Sequence, residues 1–131
     1  LKKTANINHA ISEVIAGMGH MDMLTVADAG LPIPDGVRRI DLALCPDVPS
    51  FIQTVETIHS ELCVQEIIVA EEMTAASPAV AGVLSGVFNE VPMRCVPHTE
   101  LKRLTAESKA VVRTGEFTPY ANVILVAGVV F

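Results

Sequence analysis

Tryptophan is absent from the 131 residues, tyrosine occurs once and phenylalanine four times. Any core must therefore be built from Val, Ile, Leu, Ala and Met. Basic charge is also scarce. Nine Lys and Arg face 15 Asp and Glu, for a net charge of −6, which argues against a nucleic-acid partner because that needs a basic footprint. No apolar run approaches the ~18–20 residues of a membrane span, so no membrane partner is expected. The start, "LKKTANINHAISEV", has two lysines but no long apolar segment behind them, and is not expected to be a signal peptide. The three cysteines, Cys45, Cys63 and Cys95, are odd in number, widely spaced and without a CxxC pair. They read as buried free thiols in a reducing, cytoplasmic setting rather than as a disulfide framework or structural zinc site.

The common catalytic signatures are missing too. Neither GxGxxG nor GxxxxGK[ST] occurs, so dinucleotide and P-loop nucleotide sites lack support. No GxSxG elbow is found, and no HExxH or His–carboxylate cluster of ligand spacing supports a metal.

Half the residues are apolar and only 18% are charged. That suffices for a core, and the length suits one domain over residues 1–131. Ile11, Val14, Ile15 and Met18 repeat as one helical face, with Asn8 as a candidate cap and Gly17 and Gly19 as stops. Strands are expected at Leu24–Ala29, at "RIDLALC" (39–45), at "EIIVAEEM" (66–73), at "VPMRCVP" (91–97), at "KAVVRTG" (109–115) and in "TPYANVILVAGVVF" to the chain end. Between them, Pro49 opens a helix with Phe51, Val55, Ile58 and Leu62 on one face. Ser77–Pro78 starts another, and Thr99 caps a third through Ala106. Strands alternating with helices, and apolar on both faces, imply an α/β fold. The expected form is a three-layer α/β/α arrangement with a mostly parallel mixed sheet of about six strands. The last two strands have a short link, so one of them is expected to run antiparallel.

Ligands in such sheets sit beyond the carboxyl ends of the strands. Asp28, Glu71, Glu72 and His98 fall there. Tyr120 and Asn122 join them if the last strand runs the other way. Each has a plain structural reading: Asp28 as a turn former, His20 as a partner of a helix C-terminus, His98 as a helix-start residue, Tyr120 as a core aromatic, and the glutamates as a solvated strand end. His9 and His59 lie on polar helix positions and receive no role. Histidine, carboxylate, hydroxyl and amide together suit proton transfer on a neutral polar molecule better than covalent or metal chemistry.

The stretches "GHMDMLTVADAGLPIP", "RIDLALC", "VPSFIQTV", "IIVAEEM" and "TAESKAVVRTGEFTPYANVILVAGV" follow one another as in the D-ribose pyranase (RbsD-like) family, which this sequence resembles over nearly its whole length. The likeness is weakest across 75–92. That family also contains L-fucose mutarotases, which lack the GLPIP run and usually carry YGN, so "YAN" and "DAGLPIP" place the resemblance on the ribose branch. It implies the RbsD-like fold and a cofactor-free isomerase that interconverts β-pyranose and β-furanose D-ribose, feeding ribose utilisation. It also implies His20 as the catalytic residue, with Asp28, His98, Tyr120, Ala121 and Asn122 binding the sugar. Lys102, four residues after His98, is a further candidate contact. Cytoplasmic ring-shaped homo-oligomers, commonly decamers, are implied as well. The mean hydropathy of +0.47 points the same way, because a small chain cannot hide that much apolar surface alone; "GLPIP" and "VAGVVF" are the expected contact stretches. The alternatives are a fucose-type mutarotase and a sugar-binding accessory protein without turnover, which would not need His20.

Overall fold

The apolar runs do become strands, and the order in which they pair decides where the polar residues meet. The computed structural model describes residues 1–131. Its strands are β1 (Met23–Ala27), β2 (Arg38–Asp41), β3 (Val64–Ala70), β4 (Met93–Val96), β5 (Ala110–Arg113) and β6 (Val123–Ala127). They form one six-stranded sheet in the order β2-β5-β1-β6-β3-β4. Only β6 runs against its neighbours, pairing antiparallel with β1 and β3, while every other pair is parallel. The expected mixed sheet is present. Its antiparallel strand is not adjacent to β5, because β1 lies between them.

Side chains along each central strand point alternately to the two faces. Leu24, Val26, Ile67, Val69, Val123 and Leu125 enter the larger core cluster. Ala27, Ile68, Val111, Ile124 and Val126 enter a smaller one. That is why these strands read as continuous apolar runs rather than as alternating ones.

The larger face is covered by α1 (His9–Gly17), α2 (Phe51–His59) and α4 (Pro78–Val87), whose Ile11, Val14, Phe51, Val55, Ile58 and Leu84 are buried in it. The first two helices are capped as their sequences demand. Asn8 Oδ1 accepts from Ile11 N at 3.0 Å, and Ser50 Oγ accepts from Gln53 N at 3.2 Å. A short α3 (Glu71–Ala76) precedes α4. The smaller face carries α5 (His98–Leu104), which contributes Leu101 and Leu104.

Several expected boundaries move. Leu42–Cys45 leave the second strand: Leu42 N still bonds Arg113 O, while Leu44 N turns to Val48 O. Glu71–Met73 form the start of α3 rather than the end of β3. α2 opens at Phe51 with Ser50 as its cap, so Pro49 stands just outside the helix it was expected to open. α4 starts at Ser77–Pro78 as expected, but the Ser77 side chain makes no cap bond and its hydroxyl donates to Pro119 O. α5 begins at His98, with Pro97 at the cap position rather than Thr99, and is followed by a 3₁₀ turn at Thr105–Glu107. β6 stops at Ala127 and leaves Val129–Phe131 exposed. The cysteines are free, but Cys45 and Cys95 are exposed rather than buried. No helix is long and apolar enough to cross a membrane.

Candidate active site

Because β6 is antiparallel, its first residues meet the last residues of β1. Asn122, fully buried just before β6, therefore lies beside Asp28, the residue after β1. The Asp28 N–H donates to Asn122 Oδ1 at 2.8 Å, and Asn122 Nδ2 donates to Asp28 Oδ2 at 2.9 Å. Asp28 Oδ1 accepts from Gly30 N at 2.9 Å, an Asx turn that leads into "GLPIP". Asp28 is thus a turn former and a fixed carboxylate at once. Each of its oxygens retains a lone pair for a further donor.

The neighbouring backbone is pinned as well. Arg113 Nε donates to Ala29 O at 2.9 Å, and its Nη1 lies 3.1 Å from both oxygens of Asp41. The buried Glu116 carboxylate accepts from Phe51 N and from the Thr118 hydroxyl, both at 3.0 Å. It ties the segment leading to Tyr120 onto the start of α2.

His98 and Tyr120 meet edge to face, with ring centroids 4.9 Å apart and planes at 89°, a favoured aromatic geometry. Tyr120 sits at φ 60°, in the left-handed region that costs a non-glycine residue. Ser77, bonded to Pro119 O, and the buried Ala121 fix the turn on either side of it. The His98 N–H is received by both oxygens of Glu72, at 3.0 and 3.2 Å. Glu72 therefore supplies the cap that Pro97 cannot. His98 Nδ1 is buried without a partner in the chain. Lys102 follows one turn along α5 and is half-buried.

The structure thus brings Asp28, His98, Tyr120, Ala121 and Asn122 to one sheet edge. His20 is not among them. It precedes β1, at the opposite edge. β1 is five residues long, a separation of about 15 Å at the usual strand rise. There His20 sits in a tight turn, in which Asp22 N donates to Gly19 O at 3.1 Å and Gly19 N donates to Asp22 Oδ2 at 2.9 Å. The Gly19 N–H, helped by Lys109 Nζ 3.3 Å away, holds the Asp22 carboxyl below its usual range. The His20 side chain forms no hydrogen bond with the end of α1; its Nε2 is 2.9 Å from Gln65 Oε1.

A cleft of about 360 Å³ opens beside Asp28, lined among others by Arg113, Glu116, Phe117 and Thr118. It lies on the β5 side of Asp28 and does not include His98, Tyr120 or Asn122. A carboxylate, an amide, an imidazole and a phenol on one rim form a set of donors and acceptors for the hydroxyls of a neutral polar molecule. No three His, Cys, Asp or Glu side chains group as metal ligands.

Asp22, Gln65, Arg113 and Glu116 shape this geometry and were not singled out from sequence, whereas Glu72 and Ser77 were. Glu72 and Ser77 stood at an expected strand end and helix cap, so the sequence offered a signal for both. Gln65 offered none.

The profile of the RbsD / FucU transport protein family matches residues 1–130. A D-ribose pyranase of Coprothermobacter proteolyticus is 55% identical over 131 residues, covering 100% of both chains. Bacillus subtilis RbsD, solved in complex with D-ribose, superposes with a TM-score of 0.97 at 45% identity, again over 100% of both chains. FucU from Bifidobacterium longum superposes at 0.79 over 95% of this chain and 97% of its own. At 21% identity it shares the fold alone.

Proposed function

The chain belongs to the RbsD / FucU transport protein family, and from that premise we infer that it is a D-ribose pyranase, an isomerase interconverting the β-pyranose and β-furanose forms of D-ribose. The observation that carries this is the full-length match, at 45% identity and a TM-score of 0.97, to a relative solved with D-ribose bound.

The reaction asks for little beyond placed hydrogen bonds and one proton exchanger. Opening the hemiacetal removes a proton from the anomeric hydroxyl and delivers one to the ring oxygen. Closing through O4 instead of O5 changes the ring size by the reverse transfers. Histidine has a reference pKa of ~6.5 and gives or takes a proton near neutrality. A placed acid–base group contributes roughly 10²–10⁴-fold, enough for a reaction that already proceeds in water. In this reading His20 is the proton donor. Asp28 accepts sugar hydroxyls, Asn122 holds Asp28 and offers its amide, and His98 and Tyr120 form the wall, with Ala121 presenting backbone. Residues 1–131 act as one isomerase domain in the cytoplasm.

One chain does not bring His20 to the other five residues, whose edge is about 15 Å away along β1. The site is completed by a second copy that packs its His20 edge against the Asp28 edge of the first. Such a head-to-tail contact is heterologous and closes into a ring when the rotation allows. Both edges carry apolar surface: Leu44, Val48 and Phe117 at one, Met21 and Val129–Phe131 at the other. The assembly is read as a closed homo-oligomer, a decameric ring.

The test is saturation-transfer NMR of D-ribose at equilibrium. Added protein is expected to carry saturation from pyranose to furanose signals. Unchanged exchange at micromolar protein would overturn the reading.

A further inference from the structure

We propose that Gln65 is the positioning residue of His20: it locks the imidazole in one tautomer and leaves Nδ1 as the nitrogen that exchanges the reaction's proton. This deepens the reading in which His20 moves that proton, and it rests on it. The amide oxygen of Gln65, which only accepts, lies 2.9 Å from His20 Nε2, so Nε2 carries the hydrogen. The orientation of the amide is itself fixed, because Gln65 Nε2 faces the thioether of Met21 at 2.8 Å. Sulfur offers an acceptor and no donor, and a reversed amide would set two acceptors against each other. With Nε2–H committed, Nδ1 alone is left to give or take a proton. A histidine's second hydrogen bond sets which of its nitrogens is available.

The backbone around Gln65 is arranged for this contact. β3 pairs with β6 at Val64↔Ala127 and at Glu66↔Val126, so Gln65 is the extra residue of a bulge. Bulges re-aim a side chain that a regular ladder would point elsewhere. Gly128 leaves room for it: a Cβ there would stand 3.0 Å from Gln65 Cβ and 3.5 Å from Gln65 Oε1. The other titratable groups at this edge include Asp22, paired with Lys109 at 3.3 Å, and Cys63, whose thiol donates to Val129 O. Neither holds the ring.

The experiment compares Gln65→Met, which removes the acceptor at similar volume, with Gln65→Glu, which keeps it and adds charge. Ribose exchange is followed by saturation transfer across pH 5–8. The His20 ring nitrogens are followed by NMR in ¹⁵N-histidine-labelled full-length protein. Gln65→Met is expected to lower kcat about tenfold with KM unchanged, a part of the range that placed acid–base groups contribute. Gln65→Glu is expected to retain exchange and to move the His20 titration and the pH profile upward, because a facing carboxylate favours the imidazolium. A Gln65→Met protein with wild-type kcat, or a His20 titration unmoved in Gln65→Glu, would overturn the proposal. His20→Ala separates the two levels. If it retains exchange, the assignment of His20 fails and the proposal with it, even where Gln65→Glu still shifts the ring. If it loses exchange, the Gln65 variants decide the proposal alone.

Discussion

Asp28 and Asn122, 94 residues apart in sequence, hold each other at two points, backbone N–H to amide oxygen and amide N–H to carboxylate. The pairing needs β6 to run antiparallel, since only then does the start of β6 face the end of β1. It also ties Asn122, the more buried of the two, to Asp28 through both ends of its amide, with one amide N–H left to offer. Asn122→Ala strands the Asp28 N–H and leaves its carboxylate held by the Gly30 N–H alone. The expected result is a loss of about 1–3 kcal/mol in stability with a raised KM for ribose, read by denaturant unfolding and by exchange kinetics. Unchanged KM in the folded variant would remove Asn122 from the site.

Gly115 lies where the loop before α2 crosses the end of β5. A Cβ there would stand 2.6 Å from Val48 N and closer still to Val48 O. All three nearest atoms are Val48 backbone, so no flexible side-chain end can move aside. Gly115→Ala is expected to cost roughly 3 kcal/mol, the upper part of the range for overpacking. It should also displace the Glu116 bond to α2. The check is the midpoint of urea unfolding together with ribose affinity. A midpoint within error of wild type would show that the loop yields freely.

The polar residues at the Asp28 edge were legible because strand ends are where open α/β sheets place ligands, and Asp28, His98, Tyr120 and Asn122 stood at such ends. Their joint placement also needed the direction of β6, which the short link from β5 suggested. Its neighbours did not follow, because the link says nothing of β1 passing between. The extra helix α3 was hidden because nothing in "VAEEM" announces a helix start: Ala70 stands at the cap position and makes no side-chain bond, and no Gly or Pro separates β3 from Glu71. Sequence spacing put His20 and Asp28 at the two ends of one strand. It did not convey that the two ends of a strand are too far apart for one sugar, which emerges only when the strand is given its length.

Selectivity is expected to follow the ribose branch. "DAGLPIP" and "PYAN" meet at one edge of the sheet, with Asp28 turned by the Gly30 N–H and Tyr120 held at φ 60° against His98. Saturation transfer measured on D-ribose and L-fucose under the same conditions is expected to show faster ring exchange of ribose than anomer exchange of fucose. The reverse order would favour the mutarotase alternative.

The length of β1, which separates His20 from the Asp28–Asn122 pair, gives the assembly its sharpest test. If each site takes His20 from one copy and the Asp28 edge from the next, then His20→Ala and Asn122→Ala remove different halves of it. Neither protein alone has a complete site. Unfolded together and refolded as mixed rings, they regain some, because an Asn122→Ala copy still supplies His20 and a His20→Ala copy still supplies the Asp28 edge. With random mixing in a head-to-tail ring, ~1 site in 4 is intact, so exchange should recover to about a quarter of wild type. A site contained in one chain predicts no recovery at any ratio, since every chain then lacks one part. Light scattering on the same samples checks that copies associate: a mass near 13.9 kDa with exchange intact would defeat the shared site directly. The two measurements fail independently, one reporting whether copies meet and the other whether they meet at the sugar.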